Sequence, residues 1–413
     1  MYDIVLLGAT GYTGSLCATF IVENFPSTLK WCIAGRSATR LEKLVKDLTA
    51  QSPDRLQPAI ETVEINTTSL EPLVKSAKVI INGIGPYHKL STPVVDVCAR
   101  VGTHYVDFTT ETLWIRDMIE KYHKLAQDSG AIIIPGISPS GVSDILAWLL
   151  VKKIRETFGQ NVSEIVCSGK LDIKAMTGGS LTTVLDVFST YGTSWFLCPS
   201  PSILSPKPQV SPRTIPKEPL VTRLFGYRHS PELGHLTTSF NGSGNEAIVY
   251  RSASQNPNLY GASFQFKEYL PAPGVFGAIL IHFLTKLLVV FLSISPIRAL
   301  IKALIAGKMD LNPDITQLRS KESVEFHAVG KVQDSSDFRA WASFTRKGAL
   351  YEFAALMSCV GAGVLLEKHS KSGKSEEKND RLKGVVTPSA LGMKFVERVR
   401  DAGIEVNVGL LDR

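Results

Sequence analysis

The chain has 413 residues, enough for two domains with separate cores. Its 44% hydrophobic and 20% charged residues are the proportions of a folded protein, and a net charge of +7 is mild at this length. No Lys/Arg block interleaved with aromatics occurs, which argues against a nucleic-acid partner, and six cysteines without CxxC or CxxH spacing argue against a metal site and for reduced thiols in a cytosolic setting. The first strand pattern starts so soon after Met1 that a signal or transit peptide is not expected. The positive excess suits an anionic cofactor or an anionic membrane surface without selecting either.

In chain order, the apolar run Ile4 to Leu7 predicts a buried strand that enters Gly8-Ala9-Thr10-Gly11-Tyr12-Thr13-Gly14, and Ser15 to Glu23 predicts the helix behind it. The first glycine permits a tight strand-to-helix turn, the second lets the backbone approach a pyrophosphate, and the third allows close helix–strand packing. The phosphate would rest on open N–H groups at the helix N-terminus, where the helix dipole also favours negative charge. A second strand, Lys30 to Ala34, runs into Gly35-Arg36-Ser37, with Arg40 beyond and no carboxylate between Phe25 and Leu41. A ribose 2′-OH is usually met by an acidic residue at this place, whereas a 2′-phosphate calls for a guanidinium and a hydroxyl. The reading is NADP(H), with Arg36 and Ser37 as its selectors; the alternative is that the arginines are solvated surface charges.

Further strands are expected at Thr62 to Ile65, Val79 to Asn82, Tyr105 to Phe108 and Ala131 to Ile134, with helices at Ala38 to Leu48, Leu70 to Ser76, Thr92 to Val101 and Leu113 to Gln127. This alternation predicts an α/β fold, a Rossmann-type doubly wound parallel sheet, over residues 1–143. Ligands gather at the carboxyl ends of such strands. Asn66 with Thr67 then lies where an adenine edge could be contacted. Gly83 to His88, Asp107 to Glu111 and Gly136 to Ser140 become the site loops.

Residues 144–346 predict a second, α+β domain for substrate and oligomer contacts. A helix (Ile145 to Phe158) and a strand (Ile165 to Ile173) lead to Thr177-Gly178-Gly179-Ser180, which opens another helix. Alternating segments at Ala247 to Ser252, Ala262 to Tyr269, Val324 to Val332 and Ala340 to Phe344 suggest a mixed sheet. The seven prolines from Pro199 to Pro219 read as a surface loop. Val275 to Ile294 is nearly long enough to span a membrane, but His282, Thr285 and Lys286 interrupt it, and a central Lys costs about 2.5 to 3.5 kcal/mol on insertion scales. A spanning helix, an interfacial hairpin over 275–305, and a buried or oligomer-forming helix all remain open. Residues 347–413 predict helices, Tyr351 to Leu366 and Leu391 to Arg400, returning to the first domain, with a solvated loop at Lys371 to Lys383.

A nicotinamide enzyme needs a proton donor beside the hydride path. No Tyr here has a Lys four residues on, so the candidates come from the strand ends. Tyr87 and His88 serve either as donors or in ribose positioning or simple loop packing. Asp107 and Glu111 position substrate or cap the next helix, and Ser138, Ser140 and Asp144 hold a carbonyl or make a turn.

The order GATGYTG, AGRS, NGIGPY, PVVDVC, HYVDFTTE, closing with GVVTPSALG, resembles the saccharopine dehydrogenase-like oxidoreductases over nearly the whole chain. The resemblance implies a cofactor site at Gly8, Gly11, Gly14 and Arg36, with Gly85, Pro86 and Tyr87 near the nicotinamide. It also implies relatives of two kinds: trans-acting enoyl reductases serving lipid-type polyketide synthases, and members associated with lipid droplets and membranes. Thr110 and the segment Ile137 to Asp144 depart from the family pattern, and the strand ends carry no arginine cluster for a dicarboxylate amino acid. The expected activity is therefore NADPH-dependent reduction of the C=C bond of an apolar acyl or polyketide-type substrate, carrier- or synthase-bound in one version. The alternatives are imine or carbonyl reduction, or a non-catalytic NADP(H)-binding protein at lipid surfaces. Expected partners are the small apolar substrate, a membrane or lipid-droplet surface reached from the cytoplasm, and a second copy in a homodimer.

Overall fold

The computed structural model describes residues 1–205, 219–305, 312–333, 338–371 and 383–411; most of the proline-rich loop and of the charged loop expected at 371–383 lies outside them. The chain forms two units, Met1–Pro139 with Leu350–Ala402, and Ser140–Ala349 with Gly403–Arg413.

The first unit opens with β1 (Tyr2–Leu7), α1 (Tyr12–Asn24), β2 (Trp31–Gly35), α2 (Ala38–Gln51), β3 (Ala59–Thr62) and α3 (Thr67–Lys75). It continues through β4 (Ala77–Asn82), α4 (Tyr87–Leu90), α5 (Thr92–Val101), β5 (His104–Asp107), α6 (Thr112–Ser129) and β6 (Ile132–Ile134). Ile4, Val5, Leu6 and Leu7 are all fully buried. A parallel strand covered on both faces has no solvent side and so reads as a continuous apolar run.

The second unit begins with α7 (Gly141–Phe158), β7 (Val162–Asp172), α8 (Gly178–Tyr191), α9 (Ser194–Leu197), α10 (Leu220–Phe225), β8 (Arg228–Ser230) and β9 (Gly234–Thr238). Next come α11 (Gly242–Gln255), α12 (Pro257–Tyr260), β10 (Gln265–Pro271), α13 (Val275–Ser293), α14 (Ser295–Ile305), α15 (Ile315–Leu318), β11 (Ser323–Val332) and β12 (Arg339–Lys347). The chain then returns to the first unit with α16 (Leu350–Lys371), β13 (Gly384–Val385) and α17 (Met393–Asp401), and ends in the second with β14 (Glu405–Leu411).

The first sheet has the order β13-β6-β5-β4-β1-β2-β3, all parallel. Its strand order reverses between β1 and β4, which opens the crevice at the carboxyl ends of these two strands. The second sheet, β14-β12-β11-β7-β10-β9-β8, is mixed: β7 and β10 run parallel and every other pair is antiparallel.

Three expectations change. Ala247 to Ser252 lies inside helix α11, not in a strand. Almost every residue from Asn245 to Ser252 is buried, so the 3.6-residue period has no polar face to reveal it. Tertiary contacts also hold the helix there: Asn245 donates to both Glu268 oxygens (2.8 and 2.9 Å), and Glu246 accepts from Lys267 Nζ and from the Glu268 N–H. The third strand ends at Thr62, three residues earlier than expected, because Asn66 opens α3. Glu405–Leu411, grouped by sequence with the helices returning to the first domain, pairs along β12 from Thr345 to Arg339.

Candidate functional site

At the β1 end, Gly8 has φ +73° and its N–H donates to the Ala34 carbonyl at 2.9 Å. A Cβ on Gly8 would lie 2.9 Å from the carbonyl carbon and oxygen of Gly83, so the β1 and β4 loops touch backbone to backbone. A Cβ on Gly14 would lie 2.2 Å from the Gly8 oxygen. These two glycines therefore let α1 start directly against the turn. Gly11 caps α1 without a side-chain hydrogen bond, and no acidic residue sits in the first turn. The first-turn N–H groups thus form a cradle suited to a pyrophosphate. Ala9 is buried and Thr10 exposed, Thr13 is half-buried, and Tyr12 meets Tyr351 of α16 edge-on at 5.1 Å.

At the β2 end, Arg36 and Arg40 are exposed. Ser37 caps α2, its Oγ accepting from the Arg40 N–H at 3.4 Å. Among the described residues Arg36 has no ion-pair partner, so a guanidinium and a hydroxyl stand ready for a 2′-phosphate, and the residues fit NADP(H). At the β3 end, the Asn66 side chain is occupied: Oδ1 accepts from the Ser69 N–H at 2.8 Å and Nδ2 donates to Glu64 at 3.3 Å. It caps α3 and remains exposed to solvent.

The β4 end carries Gly83 to His88. Tyr87 is buried, its O–H donates to the Asn82 carbonyl at 3.1 Å, and its ring packs on Phe108 and Trp114. Burial and then the Asp107 charge push this hydroxyl well above its ordinary value. His88 pairs through Nδ1 with Glu111 at 2.6 Å, both side chains being almost fully buried. The same carboxylate accepts the backbone N–H groups of Tyr87 (2.8 Å) and His88 (2.9 Å). Glu111 starts α6, yet its side chain makes no cap for that helix and instead reaches 24 residues back to hold the turn after Pro86.

Asp107, fully buried at the β5 end, accepts from the N–H groups of Gly136 (2.7 Å) and Thr109 (2.9 Å) and from the Tyr105 O–H (2.5 Å). Burial pushes its carboxyl up to about 7 against those three hydrogen bonds, with the Glu111 charge adding to the rise. Tyr87, His88 and Asp107 thus come together in one buried shell behind the strand-end loops, hydrogen-bonded through the Tyr87 hydroxyl, His88 Nδ1 and the Asp107 carboxylate. Gly85 is exposed and Pro86 half-buried in front of that shell. Ser138, after β6, is fully buried.

In the second unit, Ser140 begins α7, and Asp144 in its first turn accepts from Ser252. Ser143 donates to Glu268 at 2.5 Å, and burial pushes the Glu268 carboxyl up to about 7. These contacts fasten α7 to α11 and β10. Sequence reasoning missed Asn82, Ser91, Tyr105 and the reach of Glu111. The legible hints were a polar residue closing the apolar strand AKVIIN and a Tyr two residues before Asp107. No group of three or more metal-ligating side chains occurs among the described residues.

Residues 4–134 match the family described as saccharopine dehydrogenase NADP binding domain. A trans-acting enoyl reductase of Mycobacterium ulcerans (strain Agy99) is 26% identical over 98% of this chain and 97% of its own length. A trans-acting enoyl reductase of Mycobacterium bovis (strain BCG / Pasteur 1173P2) is 30% identical over 65% of each chain. Among solved structures, apo saccharopine dehydrogenase (L-Glu forming) from Saccharomyces cerevisiae aligns over 100% of both chains at TM-score 0.53 and 10% identity, a likeness of fold.

Proposed function

Because the chain is a saccharopine dehydrogenase-like, NADP-dependent oxidoreductase, we propose that it reduces the C=C bond of an apolar acyl or polyketide-type substrate, as a trans-acting enoyl reductase. The observation that carries this reading is likeness over nearly the full length, second unit included, to a protein of that name. Bound NADPH would supply the hydride for the β-carbon of the enoyl thioester, and a proton added to the α-carbon would complete the conversion of the double bond to a single bond. The residues of the chain bind and orient. The first turn of α1 receives the pyrophosphate, and Arg36 with Ser37 holds the 2′-phosphate. The loop Gly83 to Pro86 fixes the nicotinamide end. Tyr87, His88 and Asp107, hydrogen-bonded through the Tyr87 hydroxyl, His88 Nδ1 and the Asp107 carboxylate, act by positioning the strand-end loop. The test is a panel of long-chain enoyl thioesters, imines and ketones, read by loss of NADPH absorbance. Turnover confined to imines or ketones would replace C=C reduction by the corresponding reductase, and tight NADPH binding without turnover on any of them would leave only a binding role.

The same reading gives the second unit a lipid-facing surface. Helix α13 is anchored by one stripe, Ala278, His282, Val289 and Leu292, with the Thr237 O–H on the Ala278 carbonyl (2.6 Å) and Thr238 on His282 (2.7 Å). Lys302 of α14 pairs with Asp186, and Arg298 donates to the Leu292 carbonyl at 2.7 Å. What these anchors leave outside is apolar: Phe276 (89% exposed), Leu280, Phe283, Leu284, Leu287, Leu288, Val290 and Phe291, continued by Leu220, Val221, Leu224 and Phe225 of α10. The helix is long and apolar enough to cross a membrane by length and composition. Its polar anchors suit a helix lying in the interface, with exposed Lys286 reaching the headgroups. Burying each such side chain contributes about 1.5–3 kcal/mol, so charging two of them should shift binding by well over tenfold. Leu287→Glu with Val290→Glu is expected to release the protein from anionic lipid vesicles in flotation while NADPH binding persists. A wild-type protein that never floats would sink this surface; a wild-type dimer that the double variant makes monomeric would give the face to a second copy.

A further inference from the structure

Beyond the residues that line the cofactor, a chain of buried hydrogen bonds runs behind them through the first unit. We propose that Tyr105, Asn82 and Ser91 are positioning residues of the dinucleotide site, forming with Asp107 a relay that clamps the peptide groups of Ile84 and so sets the Gly83–Pro86 loop. The inference rests on the reading that this loop receives the nicotinamide end.

The relay starts at Asp107, whose Oδ2 accepts from the Tyr105 O–H at 2.5 Å. The Tyr105 oxygen accepts from Asn82 Nδ2 at 3.0 Å, and the same amide nitrogen donates to Ser91 Oγ at 2.8 Å. The Ser91 O–H donates to the Ile84 carbonyl at 2.5 Å, and the Ile84 N–H returns to Asn82 Oδ1 at 3.1 Å. Both peptide groups of Ile84 are therefore held. Asn82, Ser91 and Asp107 have no exposed surface, nor does Tyr105, so water cannot replace a lost member. The clamped residue matters because its neighbour Gly83 packs its carbonyl against Gly8, and Ile84 Cγ1 lies 3.0 Å from where a Gly8 Cβ would stand. The relay thus fixes the β4 loop against the pyrophosphate turn.

Its polarity follows from its ends. An ionised Asp107 only accepts, which sends the Tyr105 proton toward the carboxylate and leaves the phenol oxygen open to Asn82. Once protonated, Asp107 must donate from one oxygen, and one of its three incoming hydrogen bonds is lost. Burial has pushed this carboxyl up to about 7, while the Tyr105 hydrogen bond holds it down. Other groups face the relay. The Glu111 charge, itself paired with His88, raises the Asp107 value, and the charges of both carboxylates and of the Cys17 thiol raise the Tyr87 hydroxyl. Since the folded-state value is raised, the ionised, clamping form is present above about pH 7 and is lost as pH falls through it.

The test is NADPH fluorescence titration of the full chain from about pH 6 to pH 8.5, on wild type, Asp107→Asn, Tyr105→Phe and Ser91→Ala, with circular dichroism on each. Wild-type affinity should weaken several-fold as pH falls, and Asp107→Asn should lack that step. Tyr105→Phe should bind about five- to tenfold more weakly, with the midpoint moved to higher pH because the hydrogen bond that stabilised the carboxylate is gone. Ser91→Ala should weaken binding and leave the midpoint in place. The 2′-phosphate contributes its own step near about pH 6; it is common to all four proteins, so differences between them are the readout. If Asp107→Asn does not fold, Tyr105→Phe and Ser91→Ala decide. Folded variants with wild-type affinity and an unmoved pH profile would overturn the relay. A wild-type protein that binds no NADPH at any pH would instead overturn the cofactor reading beneath it.

Discussion

Gly14→Ala is expected to leave NADPH binding at least ~100-fold weaker. The added Cβ would stand 2.2 Å from the Gly8 oxygen, 2.9 Å from its carbonyl carbon and 3.1 Å from the Ala9 Cα. All three are backbone atoms of the turn itself, so no side chain can swing aside. Helix α1 must retreat, and its first-turn N–H groups retreat with it. Overpacking of this kind costs about 1–3 kcal/mol of stability, which the buried strands around β1 can absorb, so the protein should still fold. The loss falls on the ligand, because hydrogen bonds displaced by even 1 Å no longer meet the phosphate oxygens. Gly11→Ala supplies the comparison, since its Cβ meets only the Gly8 oxygen, at 3.2 Å. Its effect should be several-fold. Fluorescence titration with NADPH measures both variants, and a Gly14→Ala protein with wild-type affinity would remove the cradle from the account.

Arg36→Ala is expected to erase the preference for NADPH over NADH. The guanidinium lies at the β2 end, exposed and without an ion-pair partner among the described residues, so the free protein loses little when it goes. Two charge-assisted hydrogen bonds to a 2′-phosphate, each about 1.5 kcal/mol, correspond to about 10²-fold in affinity. NADH has no such phosphate, and its affinity should stay within about twofold. Comparing Kd for both dinucleotides isolates the term, because every contact with the shared part of the molecule cancels. An unchanged NADPH to NADH ratio would mean that Arg36 is a solvated charge.

The strand–turn–helix that opens the first unit was legible because its geometry is local. Gly8, Gly11 and Gly14 sit within seven residues, and the requirements of a tight turn are written in the residues that make it. The exposed place of Arg36 at the end of β2 was readable for the same reason, since it directly follows the glycine that ends the strand. The shell behind the loops was hidden because its partners are distant in sequence. Glu111 reads as a helix-starting residue, and nothing near position 111 announces a bond to residue 87. In the second unit, Ala247 to Ser252 misled because a helix buried on nearly every side loses the stripe that identifies it. The exposed side of α13 was legible as apolar, but which residues anchor it depended on Thr237 and Thr238 of β9, a strand too short and polar to be read.

The last seven-residue strand has a consequence for how the protein is made. The chain passes between its two units at residues 139/140, 349/350 and 402/403. Helices α16 and α17 belong to the first unit, while β14, which follows them, completes the edge of the second sheet. The second unit therefore cannot mature while the ribosome is still adding the first unit's final helices. Its β12 edge, Arg339 to Lys347, stays uncovered through that interval. An open strand edge is a template for pairing with another chain. Domains usually fold in the order they are synthesised, and this one must instead wait for its last segment, so crowded polysomes are where premature strand pairing would compete with the native fold.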